Sequence, residues 1–454
     1  MRVVVVGAGL AGCLFAMLLA KRGARVTLFE RNPDPRPPEG RAGSSSSINL
    51  TLVERGFAAL AAAGLRDQVR AISVPVNGRC IHVDRHDQEY QPYGNPGEAL
   101  RSVSRATLNK LLLDAAARTP GVELRFGQRC IELDVEQGRL VFESAANGTR
   151  YAHTADLIVG ADGARSTVRL ALQRRHGVNF SQLYSRHTNK ELRIPAEYAR
   201  RAGLANDALH VWPRGDLMLL GFPNVDGDIT CTLQLPSTDS PTSFAAIRTE
   251  RGLLRLFEEH FADALPLIPD LVRDFFDHPE IPMVTIRCEP WSCARVTLIG
   301  DAAHAVWPAY GQGANAAFET CTILDACLAR NGSDLRKALA EYEQLRRPDT
   351  NAIADLSERH FTELRSHLRD PRFLLRKRIE RRVRSLFPEQ RSLYERIAFT
   401  VTPYAEAIRQ DVQFRRVVDA ICASDELCAD VEGAALERFI RAHFATASEE
   451  HASA

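Results

Sequence analysis

The chain has 454 residues, 45% hydrophobic and 25% charged, with a formal net charge of +1. That length asks for two or more packed units around a large core, in a composition ordinary for a soluble globular enzyme. It excludes the basic footprint of a nucleic-acid binder and the roughly 18-residue apolar run of a spanning helix, and the ten cysteines contain no C-x-x-C zinc pair.

The first predicted strand is the apolar run over residues 3–6, followed by Gly7-Ala8-Gly9-Leu10-Ala11-Gly12 and an Ala/Leu-rich helical pattern. Glycines there make a tight turn and let backbone amides approach a pyrophosphate at a helix N-terminus. Gly7, Gly9, Leu10, Ala11 and Gly12 are therefore candidate dinucleotide contacts. The second strand, residues 25–29, runs into Glu30 and Arg31. Glu30 lies 18 residues past Gly12, near the usual place of a carboxylate that accepts from an adenosine ribose hydroxyl. These residues alone leave FAD and NAD equal. Glycines interrupt the apolar start and no small-residue cleavage site follows, so export is not expected; unpaired cysteines suit a reducing cytoplasm.

Residues 32–47 are rich in Pro, Gly, Arg and Ser and read as loop. The serine run 44–47 is either a flexible connection or a moving loop beside a cofactor. Ser104 caps a predicted helix from Arg105 to Arg118, with Leu108, Leu111 and Leu112 at helical spacing. A second apolar strand enters Gly160-Ala161-Asp162-Gly163. From 177 to 285 strand-like runs at 208–212, 217–222 and 230–235 are joined by hairpin turns, Pro213-Arg214-Gly215-Asp216 and Asn224-Val225-Asp226-Gly227. A helical pattern over 253–261 interrupts this antiparallel sheet. A third apolar strand, 296–299, enters Gly300-Asp301-Ala302-Ala303-His304. From about Leu335 helix formers dominate, with arginines at 346–347 and 376–384. These read as solvated faces, as a cap over the site, or as a patch making at most peripheral membrane contact.

The three glycine signatures, in this order, resemble those of the single-component flavoprotein aromatic hydroxylases, the para-hydroxybenzoate hydroxylase family. The resemblance resolves the cofactor as FAD, with NADPH as a transient co-substrate. With the elements above it implies an α/β fold: a Rossmann-like FAD-binding domain (1–70, 97–176 and 286–350), a mostly antiparallel β-sheet substrate domain (71–96 and 177–285) and a C-terminal helical cap (351–454). It implies that Asp162 and Gly163 serve FAD and NADPH, that Gly300 and Asp301 meet the flavin ribose, and that Arg105 lies near the flavin. Pro308-Ala309-Tyr310-Gly311-Gln312-Gly313-Ala314-Asn315 corresponds to the loop and helix start facing the isoalloxazine. Amides at such a helix start stabilise negative charge on the reduced flavin. Pro308, Gly311, Gln312, Gly313 and Asn315 are thus the flavin-facing residues, and Gln312, Gly313, Ala314 and Asn315 also count as cofactor contacts. No side-chain acid or base and no metal is expected in the chemistry, and His304 is expected to be structural or phosphate-adjacent.

Four further segments, Ser47 to Gly56, Gln91-Pro92-Tyr93-Gly94, Lys190-Glu191-Leu192 and Ala208 to Asp216, are similar to the kynurenine 3-monooxygenases, and the similarity reaches at least Tyr404. It implies NADPH reduction of FAD, reaction with O₂ to a C4a-hydroperoxide, and transfer of one oxygen to an aromatic ring. The expected substrate is L-kynurenine, giving 3-hydroxykynurenine, or a close analogue. The resemblance places Arg79 and Tyr93 on the substrate's amino-acid carboxylate, with Tyr404 as a C-terminal substrate contact. A guanidinium suits that task, since it offers two parallel charge-assisted hydrogen bonds.

The chain departs from the family at three places. Ala309 replaces an aromatic residue, His360 an asparagine, and Ser46 an arginine after an apparent insertion. Either Tyr310 and His360 refill the space around kynurenine, or the pocket is enlarged for an indole-, anthranilate- or quinoline-type aromatic. The fold also serves halogenases and reductases. Trp212 and Trp307 stand in no halogenase W-x-W-x-I-P motif, leaving a reductase or a non-catalytic FAD-binding protein as the distant alternative.

Overall fold

A computed structural model describes residues 1–36, 48–83, 88–366 and 370–452; Ser46 and the serine run lie outside them. The four valines of Arg2–Val6 are all buried, and this strand stands inside a six-stranded sheet. Arg25–Phe29 and Leu157–Gly160 flank it in parallel. Val122–Arg125 and Val296–Leu298 extend the sheet outward, and the short antiparallel Ser292–Cys293 closes one edge. Continuous apolar strands are what a parallel sheet covered on both faces requires. Helices Leu10–Lys21, Arg105–Arg118 and Gly313–Asn331 pack their apolar sides into the same core. The second of these has the predicted bounds, and Ser104 Oγ accepts from the Thr107 amide at its start.

A seven-stranded sheet runs in the order Ile281–Glu289, Asn179–Ile194, Ile229–Pro236, Leu217–Pro223, Ala208–Arg214, Gly78–His82, Gln88–Pro92. Its hairpins turn at the two predicted places. All neighbours are antiparallel except Gly78–His82, which lies parallel to Ala208–Arg214 and brings Arg79 opposite Leu209. One face is covered by helices Glu250–His260 and Leu271–Asp277 over Leu192, Leu219 and Leu233. The other receives Phe373, from helix Pro371–Leu386, against Ile81, Val211 and Met218. Among the described residues two three-stranded sheets complete the β-structure.

From Leu335 the chain is helical: Leu335–Ser366, Pro371–Leu386, Leu393–Phe399, Tyr404–Cys422 and Ala434–Ala452 are the longer elements and carry a small core of their own around Ile379, Val418 and Phe444. Among the described residues no helix is long and apolar enough to cross a membrane.

Candidate active site

The three glycine signatures leave the carboxyl ends of three neighbouring parallel strands, the place where open α/β sheets bind ligands. They also touch one another. A Cβ on Gly7, whose φ is +106°, would stand 2.4 Å from the carbonyl oxygen of Ala161, and one on Gly12 would stand 2.0 Å from that of Gly7. A Cβ on Gly300 would lie 3.2 Å from Ala11 Cβ. Gly9 differs: a Cβ there meets nothing within 4 Å. It caps helix Leu10–Lys21, whose first turn carries no acidic residue. Open space before unsatisfied helix amides fits a dinucleotide pyrophosphate.

Other cradle residues follow the same geometry. Glu30 is locked at its strand end, accepting from the Ala8 amide at 3.0 Å and from Asn32 N and Nδ2 at 3.0 and 2.8 Å. Lone pairs remain for a ribose hydroxyl. Arg31 is exposed beside it. Asp301 lies deep among protein atoms, yet its residue is open to solvent, so it faces a cleft. Burial raises its pKa, and the charge of Arg105 opposes that rise, which puts Arg105 within electrostatic reach of the same cleft. Asp162 behaves otherwise. Its carboxylate accepts from Ser166 Oγ and from the Thr167 and Val168 amides at 2.6 and 3.2 Å, capping helix Thr167–His176. The turn therefore presents Gly163, with φ +77° and open space around it, rather than the Asp162 side chain.

The loop after Trp307 is clamped from behind. Pro308–Tyr310 forms one 3₁₀ turn and Gly311 adopts φ +64°, where a Cβ would strike Thr51 Oγ1 at 2.2 Å. Gln312 is the N-cap residue of helix Gly313–Asn331, whose first turn holds Gly313, Ala314 and Asn315. Buried Asn315 accepts from the Val53 amide at 3.0 Å and donates to the Thr51 and Gly311 carbonyls at 2.9 Å each. His304 is buried and neutral, its pKa driven down to about 3 by burial and by Arg346. Thr320 Oγ1 gives its hydrogen to the Ala316 carbonyl, so His304 Nε2 donates to Thr320 Oγ1 at 2.9 Å. The imidazole is a structural group.

Beside this loop a cavity of about 400 Å³ is lined by Arg79, Tyr93, Tyr310 and His360, four of the six residues expected to meet substrate. One edge of the Arg79 guanidinium is held by Gln91 Oε1, at 2.9 Å from Nε and 2.8 Å from Nη2. Nη1 is left for a ligand. The Tyr93 ring stacks on Tyr394 at 5.5 Å. Burial pushes Tyr93 up to about 12, although Arg79 and Tyr394 pull the other way. Both phenols stay protonated and able to donate. Tyr310 lies 4.7 Å from the His360 ring and 5.5 Å from Tyr394. The outer wall is basic: Arg359, Arg376, Lys377, Arg381, Arg384 and Arg415 face Glu380, Glu395 and Asp411.

Two expected substrate contacts are placed elsewhere. Ala309 is half-buried beside Tyr310 and does not line the cavity. Tyr404 is fully enclosed and its hydroxyl donates to Gln312 Oε1 at 3.0 Å, so the tyrosine that reaches the cavity from the C-terminal helices is Tyr394.

Residues 1–357 match the FAD binding domain family. A curated kynurenine 3-monooxygenase from Salinispora tropica is 44% identical over 90% of this chain and 91% of its own, and one from Myxococcus xanthus is 38% identical over 99% and 97%. The chain belongs to the kynurenine 3-monooxygenase family. Among solved structures, a variant of 2-methyl-3-hydroxypyridine-5-carboxylic acid oxygenase matches with a TM-score of 0.66 at 25% identity, covering 82% of this chain and 94% of that one. This member of the kynurenine 3-monooxygenase family is thus an FAD-dependent flavoprotein monooxygenase, and its cradle residues accommodate that cofactor.

Within the family frame, Tyr394 is the site residue that motif reading passed over. A signal for its surroundings existed: Ser392-Leu393-Tyr394-Glu395 has the S-x-x-E spacing of a capping box, and the structure forms one at the start of Leu393–Phe399. That box fixes where the helix starts, one residue before Tyr394.

Proposed function

We propose that this protein hydroxylates L-kynurenine to 3-hydroxykynurenine, consuming NADPH and O₂. The observation that carries the reading is one cavity in which Arg79, Tyr93 and Tyr394 stand beside Tyr310, at the start of the loop that precedes the N-terminus of Gly313–Asn331. Bound FAD, reduced by NADPH, supplies the activation of O₂ for transfer to an aromatic ring. The chain's own residues do the rest. Arg79 holds the substrate carboxylate by charge-assisted hydrogen bonds, with Tyr93 and Tyr394 as neutral donors beside it. Tyr310 and His360 confine the aromatic ring, and their contact at 4.7 Å supports refilling of the space rather than an enlarged pocket. Amides of residues 313–315 stabilise charge on the reduced flavin. Residues 351–454 act as a cap, because Leu335–Ser366, Pro371–Leu386, Leu393–Phe399 and Tyr404–Cys422 all contribute to the cavity wall and exclude water. Among the described residues no disulfide forms, in keeping with a cytoplasmic enzyme.

The test is stopped-flow reduction of the FAD-loaded protein by NADPH with and without kynurenine, followed by product analysis. Kynurenine accelerates reduction and 3-hydroxykynurenine accumulates. Absence of both overturns the assignment.

A further inference from the structure

Tyr404 lies outside the cavity, and buried charges fix the chain on both sides of it. Arg55 Nη2 donates to the Thr402 carbonyl at 2.8 Å, while Nη1 pairs with both Glu319 oxygens at 2.7 and 2.8 Å. The Ala405 amide donates to Asp349 Oδ1 at 2.8 Å, and Asp349 is paired with Arg346, which also meets Glu319 at 3.0 Å. The Arg55 guanidinium carbon stands 3.9 Å above the Tyr404 ring. Arg55 and Arg346 are almost wholly buried. Glu319 belongs to helix Gly313–Asn331, about two turns beyond Gln312. The clamp therefore sets the distance between Tyr404 and the start of that helix.

Across this distance runs a hydrogen-bond relay. Tyr404 donates to Gln312 Oε1 at 3.0 Å, and Gln312 Nε2 donates to the Tyr310 carbonyl at 3.3 Å. Burial pushes the Tyr404 phenol well above its ordinary range, although Arg55 opposes this, so it remains a donor. Gln312 is buried, and without the phenol its carbonyl would lose its hydrogen-bond donor. A phenylalanine would fill the slot equally well; the hydroxyl is the group with a task.

We propose that Tyr404 is a positioning residue for the flavin-facing turn: its hydroxyl orients Gln312, and Gln312 in turn holds Tyr310 and the first amides of helix Gly313–Asn331 in place. This rests on the reading of residues 308–315 as flavin-facing. It transmits the placement of the C-terminal helices to both the substrate ring wall and the cofactor edge.

The test compares wild type, Tyr404→Phe, Gln312→Ala and the double variant, all FAD-loaded. The readouts are the flavin absorbance spectrum, the flavin midpoint potential and the share of NADPH oxidation released as peroxide. Tyr404→Phe shifts spectrum and potential and raises peroxide release about fivefold, the equivalent of one lost hydrogen bond, while KM for kynurenine changes less than about twofold. Gln312→Ala produces the same shifts, and the double variant adds nothing to them. Wild-type spectrum, potential and coupling in Tyr404→Phe overturn the proposal whatever its melting temperature. So do additive effects in the double variant, and so does an unshifted Gln312→Ala if Tyr404→Phe fails to fold. Spectrum and potential require only bound FAD, so they stand apart from a failure of kynurenine to be hydroxylated.

Discussion

At the scale of single residues, two tyrosines ten positions apart take different roles. Tyr394 opens into the cavity and stacks on the ring of Tyr93, while Tyr404 is sealed beneath Arg55. Arg79 lines the same cavity between Tyr93 and the basic outer wall and is the charged anchor proposed for the substrate. Arg79→Ala is expected to weaken kynurenine binding by more than about tenfold, on the order of 1.5–3 kcal/mol for a charged hydrogen bond. Tyr394→Phe, which removes one neutral donor, costs about 1 kcal/mol. Titration of the FAD-loaded variants with kynurenine checks both, and an unchanged affinity in Arg79→Ala removes that side chain from the site. Arg79 was legible only through its resemblance to a family position, since its strand neighbour Leu209 is far away in sequence. Tyr394 was hidden for a different reason. Nothing in a Leu-Tyr-Glu stretch announces which way a ring points; that is decided by packing against Tyr93 and Tyr310.

At the scale of elements, the strand-turn-helix units were the most readable part. An apolar strand, a glycine turn and a helix start have strong local signatures, and the three glycine turns meet because sheet order places their strands side by side. Two glycines of one turn make opposite demands. Gly12 has no room for a Cβ, because the obstacle is the Gly7 backbone. Gly9 has room, and the open space before the helix amides fits an approaching pyrophosphate. Gly12→Ala therefore lowers the melting temperature of the apoprotein. Gly9→Ala leaves it near wild type but retains little flavin after gel filtration. A Gly9→Ala protein that stays yellow at full stoichiometry contradicts this placement of the cofactor. The parallel pairing of Gly78–His82 with Ala208–Arg214 was not legible, because register between segments 130 residues apart depends on the whole sheet.

For the whole molecule, acid sensitivity follows from buried imidazoles. His210 Nε2 donates to the Ala205 carbonyl, so His82 Nε2 donates to His210 Nδ1 at 3.0 Å beneath Trp212, and burial, with His210 and Arg214, lowers the His82 pKa to about 3. His304 is depressed to about 3 as well. An unfolded histidine titrates near 6.5, so between that pH and about 3 the unfolded chain binds more protons than the folded one. Stability from these groups is complete above pH 6.5 and is lost as the pH falls through that window. For one histidine the loss between pH 7.5 and 5.5 is about 1.4 kcal/mol. Urea unfolding should show His304→Gln losing that much less over the same interval than wild type. Equal losses would mean that His304 is not held neutral.

The order in which the chain is made gives the cavity a particular history. The flavin cradle is complete once helix Gly313–Asn331 has formed, whereas Tyr394 and most of the basic wall lie in the last quarter of the sequence. Domains fold as they leave the ribosome, N-terminal parts first. A nascent chain therefore acquires its cofactor seat before it has a substrate chamber, and an unfinished copy that takes up flavin would expose it to oxygen and water.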